Sequence, residues 1–196
     1  MTIRVRSLID TQERHAAIPA LSDLRIRIFR GWPYLYDGTA DYEAAYLAEY
    51  MSEPNAVLIV ATDDDAVIGA ATASPMAGQK AEFQLPLLDY GLDVARIFYF
   101  GESVLLPDYH GQGIGHQFFD AREAAARAAG ADQAAFCAVV RPPDHPMRPD
   151  APRDLAPFWR ARGYAPLEGL TTMLKWQDLG DAVESPHQMQ FWMRDL

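Results

Sequence analysis

The sequence has little of several features that would define its class. It contains one cysteine, Cys137, so no disulfide bond can form within the chain, and a cytoplasmic location is expected. Its apolar stretches are short, as at 56–61, and none approaches the roughly 18–20 residues that cross a bilayer. The N-terminal segment MTIRVRSLID alternates apolar and polar residues and lacks the apolar core of a signal peptide. These absences predict a protein without a membrane partner.

Basic residues are scarce relative to acidic ones. The chain has 17 Lys and Arg against 27 Asp and Glu, which gives a formal net charge of -10. Binding to nucleic acid needs clustered Lys and Arg, so nucleic acid is not expected as a partner. An acidic surface would attract cationic substrates such as amines, although the same balance is typical of proteins that are acidic only for solubility.

Repeats, linkers and low-complexity tails are also missing. The chain has 196 residues, of which 49% are hydrophobic and 22% are charged, and this is ordinary for a globular domain with a buried core. We therefore predict a single domain over residues 1–196.

Apolar periodicity along the chain changes repeatedly between that of strands and that of helices, which predicts an α/β fold. The first helix is predicted at Glu13–Phe29, with an apolar face formed by Ala17, Leu21, Leu24 and Ile28. Asp41 is predicted to cap a second helix that ends near Met51. Strands are predicted at 2–9, 57–61, 66–74, 96–106, 133–140, 171–177 and 188–194.

Further helices are predicted in the second half of the chain. The insert at 75–95 is irregular and has room for a short helix, and Asp154 is expected to cap another at 155–162. A longer helix at 113–129 is expected to bury one face, formed by Ile114, Phe118, Ala121, Ala125 and Ala128.

The segment that carries the most chemical information is the loop DYHGQGIG between the strand at 96–106 and the helix at 113–129. Its glycines, Gly111, Gly113 and Gly115, leave backbone N–H groups unshielded, and the helix N-terminus adds further donors and a positive dipole end. The loop suits a cofactor that carries a diphosphate. The alternative is that the glycines only form a tight turn between strand and helix.

Two other phosphate motifs do not fit this loop. A dinucleotide fingerprint needs G-x-G-x-x-G, whereas the spacing here is G-x-G-x-G, with His116 in the place of the last glycine. A P-loop needs G-K-[ST] at the start of the helix, and the sequence has no such triplet.

The loop and its flanking elements resemble the GCN5-related N-acetyltransferases (GNAT family). The family signature [RQ]-x-x-G-x-[GA] matches residues 110–115, HGQGIG, except that His110 stands where Arg or Gln is usual. The resemblance implies a mixed, mostly antiparallel sheet of six or seven strands with flanking helices and a splayed central pair of parallel strands. It also implies acetyl-CoA as the acetyl donor and an acyltransferase activity.

The same resemblance implies which residues hold the cofactor. The backbone of Val104, Leu105 and Leu106 would pair with the pantetheine arm, and an N–H near Leu105 would polarise the acetyl carbonyl. The pyrophosphate would be held by the loop and the first turn of the helix, that is by His110, Gly111, Gln112, Gly113, Ile114, Gly115 and His116.

Proton transfer needs a base and, in many enzymes, an acid. Glu102 is the candidate base because it lies on the strand 96–106, which precedes the glycine loop, between apolar residues that would partly desolvate it. The alternative is that it only binds a cation. The tyrosine that usually acts as the general acid in this family is replaced by Trp159, which cannot supply a proton. The alternatives are that the thiolate leaves unassisted, that another residue such as Tyr109 or Tyr36 supplies the proton, or that the protein is a poor catalyst. Tyr164 is expected in the core.

The acceptor site is expected from the resemblance at the loop 31–38 and the proline-rich loop 141–153. Aromatic and acidic side chains there suit a cationic amine, and the candidates are Trp32, Tyr34, Tyr36 and Asp37. The same aromatic residues could instead anchor the loops.

The sequence thus predicts an N-acetyltransferase acting on a primary amine of a small cationic molecule or on a protein N-terminus. An acyl-CoA-binding regulatory or sensor module with little catalysis is the alternative. The histidines lack zinc-ligand spacing, so no metal is expected. Homodimerisation through the C-terminal strands is compatible with the sequence.

Overall fold

A computed structural model describes residues 2–53 and 55–196 of the chain. Seven strands form one sheet in the order β1-β2-β3-β4-β5-β7-β6. The strands are β1 (Ile3–Leu8), β2 (Val57–Asp63), β3 (Ala66–Pro75), β4 (Ile97–Leu105), β5 (Gln133–Val139), β6 (Ala165–Trp176) and β7 (Ser185–Asp195). All neighbours are antiparallel except β4 and β5, which are parallel. The predicted mixed, mostly antiparallel sheet is confirmed.

In the described residues five α-helices cover the sheet: α1 (Thr11–Phe29), α2 (Ala40–Ser52), α3 (Ala81–Asp89), α4 (Ile114–Ala128) and α5 (Ala156–Ala161). Because side chains alternate along β4, Ile97 and Tyr99 face a core beneath α3, whereas Phe98 and Phe100 face the core beneath α4. The described ranges contain no helix long and apolar enough to cross a membrane.

Two local predictions need correction. The cap of α2 is Thr39, whose Oγ1 accepts from the N–H of Tyr42 at 3.4 Å, and Asp41 lies inside the first turn. On α4 the buried residues are Ile114, Phe118, Phe119, Arg122, Glu123 and Ala126, whereas Ala128 is exposed. The face differs from the predicted one because two charged residues with partners inside the protein belong to it.

Candidate active site

The parallel strands β4 and β5 separate from each other halfway along their length. They pair with each other from Ile97 and Gln133 to Tyr99 and Ala135. Beyond these residues both strands continue, but they no longer pair with each other. A gap therefore opens in the middle of the sheet, between the C-terminal halves of the two strands. The predicted splayed parallel pair is confirmed.

A bulge in β4 lies where the strands separate. The register with β3 places Phe100 opposite Ala73 and Ser103 opposite Ala71, so two residues, Gly101 and Glu102, face the single Thr72. The hydroxyl of Thr72 accepts from the N–H of Glu102 at 3.1 Å. A Cβ on Gly101 would lie 2.6 Å from the same hydroxyl, so a larger residue here would displace the group that accepts this hydrogen bond.

Beyond the bulge, β4 presents only alternate backbone groups to the gap. The N–H of Leu106 donates to Ile68 O on β3 at 2.9 Å, so this donor is used within the sheet. Alternation of antiparallel pairing then directs the N–H and carbonyl of Leu105 toward the gap. The carbonyl of Leu105 lies 3.2 Å from Nε2 of His110. Val104 is fully buried against α1 and α2.

The glycine loop joins β4 to α4 through a short 3-10 turn at Pro107–Tyr109. Gly111 and Gly113 have φ values of +76° and +80°, and a Cβ built on either would meet open space within 4 Å. Within the part of the chain that the structure describes, the N–H groups of Gly111, Gln112 and Gly113 donate to no acceptor. Together with the start of α4, these exposed donors form a surface that fits a diphosphate.

The two histidines that bound the loop are both contacted by arginines. His110 lies 2.9 Å from Nη1 of Arg153, and His116 lies 3.3 Å from Nη1 of Arg162 and packs on Phe158. Burial and the positive charge of Arg153 lower the pKa of His110, so its imidazole is neutral near pH 7. The positive charge at this end of the loop therefore comes from Arg153.

A cavity of about 700 Å³ lies at the mouth of the gap, on the face of the sheet covered by α1, α2 and α3. Its floor is formed by Tyr99, Gly101, Glu102 and Cys137. The side walls come from helices α1, α2 and α3 and from strand β6, and they include Phe29, Tyr46, Tyr50, Phe83, Lys80, Lys175 and Trp176. The size and the mixture of aromatic and charged groups suit a small polar ligand.

Glu102 is held in the cavity floor by a buried ionic cluster. Arg25 of α1 forms ion pairs with both Glu102 and Glu43 of α2, and Glu43 is fully buried. The guanidinium also lies over the rings of Phe29, at 5.1 Å, and Tyr46, at 4.6 Å. One cation thus faces two carboxylates, which leaves this cluster with a net negative charge next to the gap.

Of the four residues of the loop 31–38 that were predicted to bind the acceptor, two line the cavity and two do not. Tyr34 and Tyr36 line the cavity. Burial raises the pKa of Tyr34 to about 12, and burial and the charge of Glu43 raise the pKa of Tyr36, so both hydroxyls stay protonated. Trp32 instead packs on His145, and Asp37 pairs with Arg30 at 2.9 Å. Neither of these two lines the cavity.

The proline-rich loop does not line the cavity, but its first residue fixes the loop that does. Arg141 donates to both carboxylate oxygens of Asp178, at 2.6 Å and 2.8 Å, and to the carbonyls of Pro33 and Tyr34. His187 Nδ1 lies 3.1 Å from the same guanidinium. These contacts use all five donors of the arginine and join the loop 31–38 to the turn after β6.

The candidate acids differ in their positions. Trp159 packs edge-to-face on Phe136 and Trp192, each at 5.0 Å, and so belongs to the core beside α5. The hydroxyl of Tyr109 donates to Asp63 at 3.0 Å, outside the cavity lining. Of these residues only Tyr36 reaches the cavity. Tyr164 is buried, as predicted, and donates to Glu123.

Cys137 on β5 is the remaining reactive group of the cavity floor. Burial raises the pKa of its thiol well above the ordinary value, so the thiol stays protonated.

Sequence reasoning missed the ionic cluster because it comes from elements far apart in the chain. A signal was nevertheless present, since Arg25 lies four residues after Leu21 and three before Ile28, on the apolar face of α1. A charged residue at such a position is rarely buried without a partner.

This fold and this arrangement of loop, gap and cavity define an acyltransferase. A model of the Acetyltransferase (GNAT) family matches residues 19–150, more than half of the chain, so the protein belongs to that family. It is accordingly an acetyl-CoA-dependent N-acetyltransferase. No curated protein matches the chain.

Solved structures share the fold at low sequence identity. The chain is 13% identical to a ribosomal-protein-alanine N-acetyltransferase from Brucella melitensis, with 100% of both chains covered and a TM-score of 0.61. It is 11% identical to yncA from Salmonella typhimurium, solved with its cofactor acetyl-CoA, with 100% and 95% covered and a TM-score of 0.60. It is 16% identical to AAC(6')-Iy in complex with a bisubstrate analogue, CoA-S-monomethyl-acetylneamine, with 91% and 99% covered and a TM-score of 0.57.

Proposed function

We propose that this protein, acting as a single domain, transfers the acetyl group of acetyl-CoA to the primary amine of a small cationic acceptor. The observation that carries the proposal is the position of the cavity, which meets the gap between β4 and β5 at Glu102. Four glutamates of the lining, Glu49, Glu53, Glu82 and Glu102, outnumber its three cations, Arg25, Lys80 and Lys175. This balance and the aromatic walls favour an ammonium group.

The donor side is supported by the fit of the glycine loop to a diphosphate. We propose that Gly111, Gln112, Gly113, Ile114, Gly115 and His116 hold the phosphates through backbone N–H groups. On the strand, the exposed backbone of Leu105 is the proposed partner of the pantetheine arm, between Val104 and Leu106, whose backbone groups point toward β3. Acetyl-CoA, when bound, supplies an activated acetyl group with a thiolate as its leaving group.

Glu102 is the proposed general base. Its carboxylate lies at the junction of gap and cavity, where it would accept a proton from the ammonium group of the acceptor, directly or through water, and so give the neutral amine that attacks the acetyl carbonyl. Arg25 has a positioning role, because its two ion pairs fix the Glu102 carboxylate relative to the gap. The N–H of Leu105 is the proposed donor to the developing oxyanion.

We assign no acid to the departing sulfur. Trp159 cannot supply a proton, and an ordinary thiol has a pKa of about 8.5, so a thiolate can leave near neutral pH without one. Tyr36 stays the one candidate acid of the cavity lining among those predicted. Trp32 and Asp37 are proposed to support the acceptor loop rather than to contact the acceptor.

Three further statements stay predictions from the sequence. These are the cytoplasmic location, the homodimer through the C-terminal strands and the absence of a metal requirement. Within residues 2–53 and 55–196 no group of three or more His, Cys, Asp and Glu side chains is placed to hold a metal ion.

The test combines binding and turnover. Calorimetry with acetyl-CoA, CoA, NAD and ATP is expected to show binding of the CoA species alone. A library of small amines is then screened for acetyl-CoA-dependent release of free thiol, and we expect the best acceptors to be cationic amines that fit the cavity. If the protein binds acetyl-CoA selectively but no amine or N-terminal peptide causes release of the CoA thiol, the acyl-CoA-binding module is favoured instead.

A further inference from the structure

The glycine loop supplies no full positive charge of its own. Residues 107–116, PDYHGQGIGH, contain neither Lys nor Arg and include one acidic residue, Asp108. The helix N-terminus contributes only about half an elementary charge. A pyrophosphate carries two negative charges, so further cations are expected from other elements that approach the loop.

Two arginines from the segment after β5 lie at opposite ends of the glycine loop. They differ in whether their positive charge is paired with carboxylates of the protein. Arg162, beside His116, pairs with Asp120 at 2.7 Å and with Glu123 at 3.0 Å, and its side chain is only 11% exposed. Arg153, beside His110, is exposed. Within the described ranges no carboxylate lies within 4 Å of its guanidinium. Arg153 is therefore the arginine whose charge is available to a ligand.

Arg153 is also held in place over the loop. The carbonyl of Leu105 can only accept, so the His110 Nε2 that lies 3.2 Å from it carries the proton. Nη1 of Arg153 lies 2.9 Å from both Nδ1 and Nε2 of the ring, and of these two nitrogens only the unprotonated Nδ1 can accept a hydrogen bond from it. A chain of hydrogen bonds thus runs from Arg153 through a neutral imidazole to the end of β4.

We propose that Arg153 contacts the pyrophosphate of the CoA substrate and that His110 positions it by hydrogen bonding without itself carrying the charge. The proposal rests on the proposed function, because it concerns the same donor site. The proposal gives the proline-rich loop a contact with the cofactor through its last residue, Arg153. The first residue of the same loop, Arg141, holds the loop 31–38.

The test is the affinity for CoA and for dephospho-CoA, which lacks the ribose 3′-phosphate, measured by calorimetry. Arg153→Gln is expected to weaken both ligands by the same factor, about ten- to one-hundred-fold, as for a lost hydrogen bond to a charged group. Arg148→Gln, in the same loop and equally exposed, removes the same charge and is expected to leave both affinities nearly unchanged.

Four outcomes of these measurements would overturn the proposal. If Arg153→Gln loses affinity for CoA but not for dephospho-CoA, Arg153 contacts the 3′-phosphate instead. If Arg148→Gln loses as much affinity as Arg153→Gln, the effect is one of general electrostatic attraction and not of a specific contact. Unchanged affinities in Arg153→Gln would remove the contact while leaving the proposed function intact. A wild-type protein that binds no CoA would overturn both.

His110→Gln separates the positioning role from a charged one. The glutamine amide can donate to Leu105 O and accept from Arg153, as the neutral imidazole does, so CoA affinity is expected to stay close to that of the wild type. A loss as large as that of Arg153→Gln would show that the ring itself carries the contact, and the assignment to Arg153 would fail.

Discussion

The two sides of the gap between β4 and β5 are built in different ways. The proposed donor side is a contiguous segment in which glycines and a helix N-terminus present backbone N–H groups. The proposed acceptor side is a cavity whose lining comes from α1, α2, α3, β6 and the strands of the floor. A site made of backbone donors depends on local conformation, whereas a site made of side chains depends on packing between distant elements.

This difference predicts different responses to mutation. Changes in the donor loop should alter cofactor affinity with little effect on stability, because the loop is exposed and, within the described residues, the N–H groups of Gly111, Gln112 and Gly113 donate to no acceptor. Changes in the acceptor cavity should couple activity to stability, because Arg25, Glu43 and Glu102 connect two helices to the sheet.

The largest expected effect is on catalysis. Glu102→Gln keeps the shape of the side chain but removes the proposed base, so we expect kcat/KM to fall by about 10²- to 10⁴-fold while CoA affinity stays close to wild type. Thiol release and calorimetry measure the two quantities. Glu168→Gln, at an exposed position of β6, is the matched control. Full activity in Glu102→Gln would show that Glu102 is not the base.

The next largest effect is on stability. Arg25→Met leaves Glu43 and Glu102 without their cation, and we expect the free energy of unfolding to fall by about 3–5 kcal/mol in urea denaturation. The control is Arg30→Met, near the end of the same helix, whose side chain is 56% exposed in its pair with Asp37. That change should cost less than about 1 kcal/mol. Similar losses in both variants would contradict a buried cluster.

A smaller effect is expected in the donor loop. Gly113→Val and Gly130→Val place a branched side chain at φ values of +80° and +78°, so each is strained by roughly 1–2 kcal/mol. Only Gly113 belongs to the proposed phosphate site, so only that variant should lose CoA affinity, by about tenfold or more in calorimetry. Equal affinities in the two variants would mean that the loop is a turn without a binding role.

The smallest effect concerns the support of the acceptor loop. Burial alone would raise the pKa of Asp178, but the hydrogen bonds and charge of Arg141 lower it overall. A carboxyl with a lowered folded-state pKa stabilises the fold above its unfolded value of about 3.9, and the contribution is lost as pH falls through the folded value.

We therefore expect Asp178→Asn to lose about 1 kcal/mol at pH 7 and to converge on the wild type only as pH falls below about 4, through the lowered folded-state pKa of Asp178. Melting temperatures of both proteins between pH 3 and pH 7 check this. A difference that does not depend on pH would show that the Asp178 charge has no part in holding the loop.

Much of the fold was predictable from the sequence because its signals are local. The period-two runs, the turn TDDD and the glycine loop specify strands, a hairpin and a strand-to-helix connection within short windows. The family model supports the function drawn from the loop. Local signals were less informative where two nearby residues could fill the same role, as with Thr39 and Asp41, of which Thr39 caps α2.

The acceptor site was predictable only in part. Of the four residues predicted to bind the acceptor, Tyr34 and Tyr36 line the cavity proposed for it, whereas Trp32 and Asp37 do not and instead contact His145 and Arg30. Nothing in the spacing of the proline-rich loop indicates that Arg141 holds the acceptor loop or that Arg153 reaches His110.

The sequence by itself thus predicted the order of the elements, the strand-to-helix connection at the glycine loop, and the proposed roles of that loop and of Glu102, since each prediction depends on neighbours within a few residues. The tertiary structure alone decided where the strands separate, which side chains form the cavity and which arginines are paired. Ion pairs and cavities depend on distances between segments that are remote in the chain, such as Arg25 and Glu102, and those distances exist only once the helices have packed on the sheet.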